Sequence, residues 1–120
     1  MTATFIELPP FERHRAEYLD DDGFHALQET LLACPERGAV IRATGGLRKL
    51  RFMDARRGKG ARGGKGARGG LRVIYYWWQV GKQLWLFTIY DKDQRDDLAH
   101  KERAALKALL DAEIHIRESS

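Results

Sequence analysis

Two apolar stretches, LRVIYYWWQV at 71–80 and QLWLFTIY at 83–90, stand on either side of a Gly81-Lys82 pair. β-Branched and aromatic residues dominate both, and a short glycine-bearing break between such runs is the signature of a hairpin. Their nearly continuous apolar character places them in the middle of a sheet, covered on one face and partly on the other. Such a pair needs more strands beside it and helices over it.

The third strand lies upstream. In LRKLRFM, residues 47–53, the period is two: Arg48, Leu50 and Phe52 share one face, and Leu47, Lys49, Arg51 and Met53 the other. A face carrying Lys49 beside Arg51 has to be wet or occupied by an anion. Thr2–Leu8 reads as an N-terminal strand ending at Pro9-Pro10. Pro10 suits the first turn of a helix carrying Phe11, Tyr18 and Leu19 on one side. Asp20, Asp21 and Asp22 offer caps for a second helix, with Phe24, Leu27, Leu31 and Leu32 on one face, Cys34 near that core face, and Pro35 as its stop. Residues 97–116 form a last helix. The expected fold is α+β, in the order β-α-α-β-β-β-α: a small antiparallel sheet with an N-terminal strand, two helices packed on one face and a C-terminal helix.

At 120 residues the chain fits one domain, 1–120. No apolar run approaches the roughly 20 residues of a membrane span. MTATFIELPP has no basic stretch leading into an apolar one, so no secretory signal is expected, and with Cys34 as the lone cysteine the expected compartment is the cytoplasm. His14, His25, His100 and His115 show no metal-ligand spacing, and neither metal nor cofactor is expected. Trp77, Trp78 and Trp85 are read as core.

The net charge of +4 conceals an asymmetry. Between Arg42 and Arg72, eleven basic residues face a single carboxylate, Asp54, a net of +10 that leaves −6 for the rest of the chain. A block of one sign repels itself and is relieved by a polyanion, so nucleic acid leads the candidate partners, with a solvated basic face as the plain alternative. Within the block, GKGARGGKGARGG repeats one six-residue unit. It matches GxGxxG twice, but a strand follows where a dinucleotide site needs a helix. A Walker A loop fails as well, since Gly64-Lys65 is followed by Gly66. Two Arg-Gly-Gly triplets remain, a composition that binds single-stranded nucleic acid with little selectivity. A solvated hairpin connection over 55–70 explains them equally well.

At TGGLRKLRF, RGGLRVIYYWW and LWLFTIYDKDQRDDL, and at FERHRAEYL near the start, the sequence resembles the RelE-superfamily toxins of type II toxin–antitoxin systems, in particular the HigB-like branch. The resemblance implies a ribosome-dependent endoribonuclease that cleaves mRNA in the A site and inhibits translation. It further implies a helix-turn-helix, HigA-like antitoxin as partner, and operator DNA bound only through the complex of the two. The family chemistry needs no metal: the ribose 2′-oxygen attacks the adjacent phosphorus. Carried onto this chain, the resemblance gives Arg51 and Arg72 to the phosphate and Lys49 to proton transfer, since a lysine can release a proton where an arginine cannot. Tyr90 would stack on a base or donate a proton, and Lys92 would make a further phosphate contact. Arg48, Arg56, Arg57, Lys59, Arg62, Lys65 and Arg68 are expected to bind RNA. The chain departs from the family pattern at Asp93 and Ala99, which leaves the general acid open, with Arg95 or Tyr90 as substitutes. The alternative is a non-catalytic RNA- or ribosome-binding protein, a degenerate toxin.

Overall fold

The structure is a computed structural model that describes residues 2–53, 70–93 and 98–119. In chain order the elements are β1 (Thr4–Glu7), α1 (Pro9–Tyr18), α2 (Asp21–Ala33), β2 (Ala39–Val40), β3 (Arg48–Phe52), β4 (Leu71–Trp78), β5 (Gln83–Asp91) and α3 (His100–Glu118). The α+β class stands. β3, β4 and β5 are consecutive antiparallel neighbours in a five-stranded sheet of order β1-β5-β4-β3-β2.

Three details differ from the sequence reading, the first being the two-residue edge strand β2, which the expected order lacks. β1 joins the sheet parallel to β5, with Thr4 beside Gln83 and Glu7 beside Leu86, so the sheet is mixed rather than antiparallel. The strand pattern of TFIE gives no direction, because no hairpin turn ties it to a neighbour. The hairpin loop also runs over four residues, 79–82, and Lys82 takes a left-handed conformation with φ of 53°. The Trp78 ring packs over Gly81, and a Cβ there would make the ring move.

The helices form because their ends are specified. The Asp20 side chain accepts the Gly23 N–H at 2.7 Å and caps α2, and Pro9 and Pro10 occupy the first turn of α1, where a missing N–H costs nothing. Phe11, Tyr18, Leu19, Leu27 and Leu31 from this pair bury one sheet face, against Leu50, Val73, Tyr75, Leu84 and Leu86. Each fully buried leucine contributes about 1.5–3 kcal/mol relative to exposure. Arg15 ties the layer together, donating to Glu7 of β1 at 2.8 Å while its guanidinium lies 4.5 Å from the Phe24 ring centre. Cys34 lies off that core face: it is the C-terminal cap of α2 and is exposed.

α3 covers the opposite face. Leu98, Leu106 and Leu110 pack with Ile74, Trp85 and Phe87, all three of which are fully buried. The face expected to be only partly covered is therefore closed over much of its area, because three large apolar side chains there require a cover. Trp85 is core, as read from the sequence, with Tyr76 and Trp78 rings 5.2 and 5.5 Å away. Among the described residues no helix is long and apolar enough to cross a membrane.

Tyr75 fastens the α2–β2 loop to the sheet. Its hydroxyl accepts the Gly38 N–H at 2.9 Å and donates to the Pro35 carbonyl at 2.7 Å. Burial pushes the Tyr75 hydroxyl above the ordinary tyrosine value, with the Gly38 bond and Arg48 opposing the shift. The protonated form is thus favoured in the folded state. Its contribution is complete below the unfolded pKa of about 10 and is lost as pH rises through the higher folded value. The melting temperature should accordingly fall as pH is raised above about 10. Tyr75→Phe, less stable at neutral pH by about 1–3 kcal/mol through two orphaned backbone groups, should show a flatter alkaline slope. Equal slopes in the two proteins would exclude this assignment.

Candidate functional site

The antiparallel register sets Arg51 opposite Arg72 and Arg72 opposite Tyr90. Alternation fixes their face: Leu50 and Phe52 flank Arg51, and Leu71 and Val73 flank Arg72, and all four point into the core under α1 and α2. Arg51, Arg72 and Tyr90 therefore form one row across three strands on the α3 side. Side chains directly opposite in such a row have Cβ atoms about 4.5–5.5 Å apart. Lys49, one row along and opposite Ile74, shares the face.

A β-bulge makes the row possible. Pairing shifts between Ile74, opposite Thr88, and Tyr75, opposite Leu86, so Phe87 is the extra residue on β5. Leu84 and Leu86 face the α1/α2 core, and unbroken alternation would send Tyr90 the same way. The extra residue flips the remainder of the strand, so that Ile89 faces that core and Tyr90 faces α3.

Electrostatically the row is poised for an anion. Arg72 is buried, with 5% of its surface exposed, and its Nη1 donates to its own strand's Leu71 carbonyl at 3.0 Å. Burial first, and then the guanidinium of Arg51, lower its pKa, while Tyr90 and Asp93 pull the other way. Arginine holds its proton through such shifts at neutral pH, so the like-charge pair persists as an unfavourable contact that a bound phosphate would relieve. Arg51 is exposed and Lys49 half-buried.

Lys92 is exposed in the turn after β5, where its backbone N–H donates to Gly70 O at 2.7 Å. Its side chain thus starts at the same end of the sheet as the row. Asp93 follows, its N–H donating to Asp91 Oδ1 at 2.8 Å. Arg48 is placed apart from the others. It lies on the opposite face, its guanidinium donating to the carbonyls of Glu36 and Gly38 at 3.0 and 2.8 Å, with the Glu36 carboxylate 3.5 Å away. Arg56, Arg57, Lys59, Lys65, Arg62 and Arg68, and with them most of the 55–70 connection, lie outside the described residues, as does Arg95. That connection joins β3 to β4, whose ends pair at Phe52 and Leu71.

Two cavities flank these elements. The larger, about 440 Å³, is an apolar groove bordered by Tyr18, Leu19, Ala26, Phe52 and Met53. The smaller, about 310 Å³, lies where α1, the end of β5 and the start of α3 meet, and Tyr90 forms part of its wall. His14 of α1 lines it too, a residue considered in the sequence only as a metal ligand and set aside for lack of metal-ligand spacing.

No model of a known protein family matches the chain. Among solved structures the chain is similar to a double mutant of the E. coli toxin RelE in the free state, with a TM-score of 0.47 and 14% sequence identity over 80% of this chain and 90% of that one.

Proposed function

We propose that this chain is the toxin of a toxin–antitoxin pair, a metal-independent endoribonuclease that cuts mRNA in the ribosomal A site. The observation that carries the reading is the Arg51–Arg72–Tyr90 row with Lys49 beside it on the same face. Cleavage by 2′-oxygen attack needs a base for the 2′-hydroxyl, cations for the dianionic phosphorane, and an acid for the departing 5′-oxygen. Lys49 takes the 2′-proton, Arg51 and Arg72 hold the non-bridging oxygens, and Tyr90 gives a proton to the 5′-oxygen. The products are a 2′,3′-cyclic phosphate and a 5′-hydroxyl. Lys92 extends the cationic track along the message. The sequence resemblance supplies the ribosome as the setting and a HigA-like helix-turn-helix antitoxin as the neutralising partner.

A second reading, an RNA- or ribosome-binding protein that does not cut, is favoured by one observation: Arg72 and Tyr90 are only 5% and 3% exposed. The two readings separate on purified protein and programmed ribosomes. The nuclease should yield a primer-extension stop within the A-site codon. An intact message together with binding that weakens as salt rises would reject the nuclease and leave the binding protein.

A further inference from the structure

Lys49 stands near the rim of the sheet, and its placement depends on what borders β3 there. Its inner neighbour is Ile74 of β4 and its outer neighbour is Ala39 of β2. β2 has only two residues, where strands usually run to about 3–10, so its ladder alone is a weak support. One end of β2 is tied back by the Ile41 N–H, which donates to the Leu47 carbonyl at 2.8 Å. The other end, beside Lys49, enters from the 35–38 loop, and side chains hold that loop.

The two residues that hold it face each other across β3 and β4, Arg48 directly opposite Tyr75. Arg48 Nη1 donates to the Glu36 and Gly38 carbonyls at 3.0 and 2.8 Å. The Tyr75 hydroxyl accepts the Gly38 N–H at 2.9 Å and donates to the Pro35 carbonyl at 2.7 Å. Gly38 is therefore gripped through both its N–H and its carbonyl, and it lies so close to the Lys49 carbonyl that a side chain does not fit between them. Tyr75 is fully buried in the core under α1 and α2, and Arg48 shares that side of the sheet by parity with Leu50. Lys49 faces the other way, towards α3. The clamp thus grips the strand from behind the site.

We propose that Arg48 and Tyr75 are positioning residues, which hold Lys49 in place for proton transfer through the 35–38 loop. The proposal rests on the nuclease reading above and adds to it the device that aims the base. A general base must stand within hydrogen-bond reach of its proton, and a displacement of about 1 Å costs up to about 10²-fold in rate. Arg72 and Tyr90 take their places from the long pairing of β4 with β5, whereas Lys49 lies on a short strand with a two-residue neighbour. With the Glu36 carboxylate 3.5 Å from its Nη2, the Arg48 guanidinium is committed to the loop and serves the site without touching the message.

The test measures single-turnover cleavage on programmed ribosomes per folded molecule, with ribosome affinity measured separately. Arg48→Ala should slow cleavage about tenfold and Tyr75→Phe about threefold, with affinity and its salt dependence unchanged. In a Lys49→Ala background neither substitution should slow the residual cleavage further, because effects that pass through one residue do not add. An equal loss with and without Lys49 would overturn the proposal. Weaker ribosome binding with a flatter salt dependence in Arg48→Ala would overturn it too, by making Arg48 an RNA contact. A second measurement needs no cleavage: the NMR signals of the Lys49 side chain should move in both variants, while those of Lys82 in the β4–β5 loop stay in place. Unmoved Lys49 signals would overturn the clamp. Moved signals in a protein that leaves A-site mRNA intact would retire the nuclease and keep the clamp, and cutting with additive losses would do the reverse.

Discussion

Arg72→Ala should abolish message cleavage, reducing the single-turnover rate on programmed ribosomes about 10²- to 10³-fold, the usual cost of deleting one preorganised charge donor. The size of the effect follows from where Arg72 sits. It is the middle member of the row, buried between Arg51 and Tyr90, and removing it leaves the phosphorane with the exposed Arg51 on one side only. Stability should fall as well, because Arg72 is buried and its hydrogen bond to the Leu71 carbonyl is lost, so cleavage is compared per folded molecule. Thermal denaturation beside the cleavage assay checks both halves. Arg72→Lys should fall between the two, keeping a charge but losing the planar fork that grips two oxygens. Cleavage at the wild-type rate in a folded Arg72→Ala protein would remove Arg72 from the site.

Gly38→Ala should be the most damaging small substitution in the fold. A Cβ at Gly38 would stand 2.8 Å from the Tyr75 ring, 2.9 Å from the Lys49 carbonyl oxygen and 3.0 Å from the Lys49 carbonyl carbon. Two of these three neighbours are backbone, so relief requires β3 itself to shift, together with the pairing of Ala39 to Lys49. Overpacking of this kind costs about 1–3 kcal/mol, several degrees of melting temperature in a domain of this size. The displacement also reaches Lys49 directly, so activity should drop by more than the loss of folded protein explains. A melting temperature within about 2 °C of wild type, where several degrees are expected, would show that the loop has room to yield.

The sequence carried more of the strands than of their connections. Alternation in LRKLRF was enough to put Lys49 and Arg51 together and to send Arg48 to the other side, because side-chain direction in a strand depends only on parity. Parity fails where a strand bulges. Tyr90 reaches the face of Arg72 only because Phe87 is inserted, and nothing in the run LWLFTIY distinguishes a bulged strand from a regular one. His14 and Glu102 lie 76 and 12 positions from Tyr90, on separate helices, and their meeting is a product of packing that local periodicity does not encode. α3 was legible as a helix from its leucine spacing, whereas the face it covers was not, since either side of the sheet could have accepted it. Cys34 shows the same limit at a helix end, where the chain turns away within one residue and the helical period no longer applies.

The parallel pairing of β1 with β5 has a consequence for how the protein is made. Thr4 meets Gln83 across a separation of 79 positions, so β1 leaves the ribosome long before its partner strand does. Contacts of that range are slow to form because the loop entropy is lost before the pairing returns anything. Meanwhile β3, β4 and β5 can zip together in sequence. β1 should therefore dock last, sealing a sheet whose row of Arg51, Arg72 and Tyr90 is already assembled, and until it does that edge of β5 stays open to any other strand that reaches it.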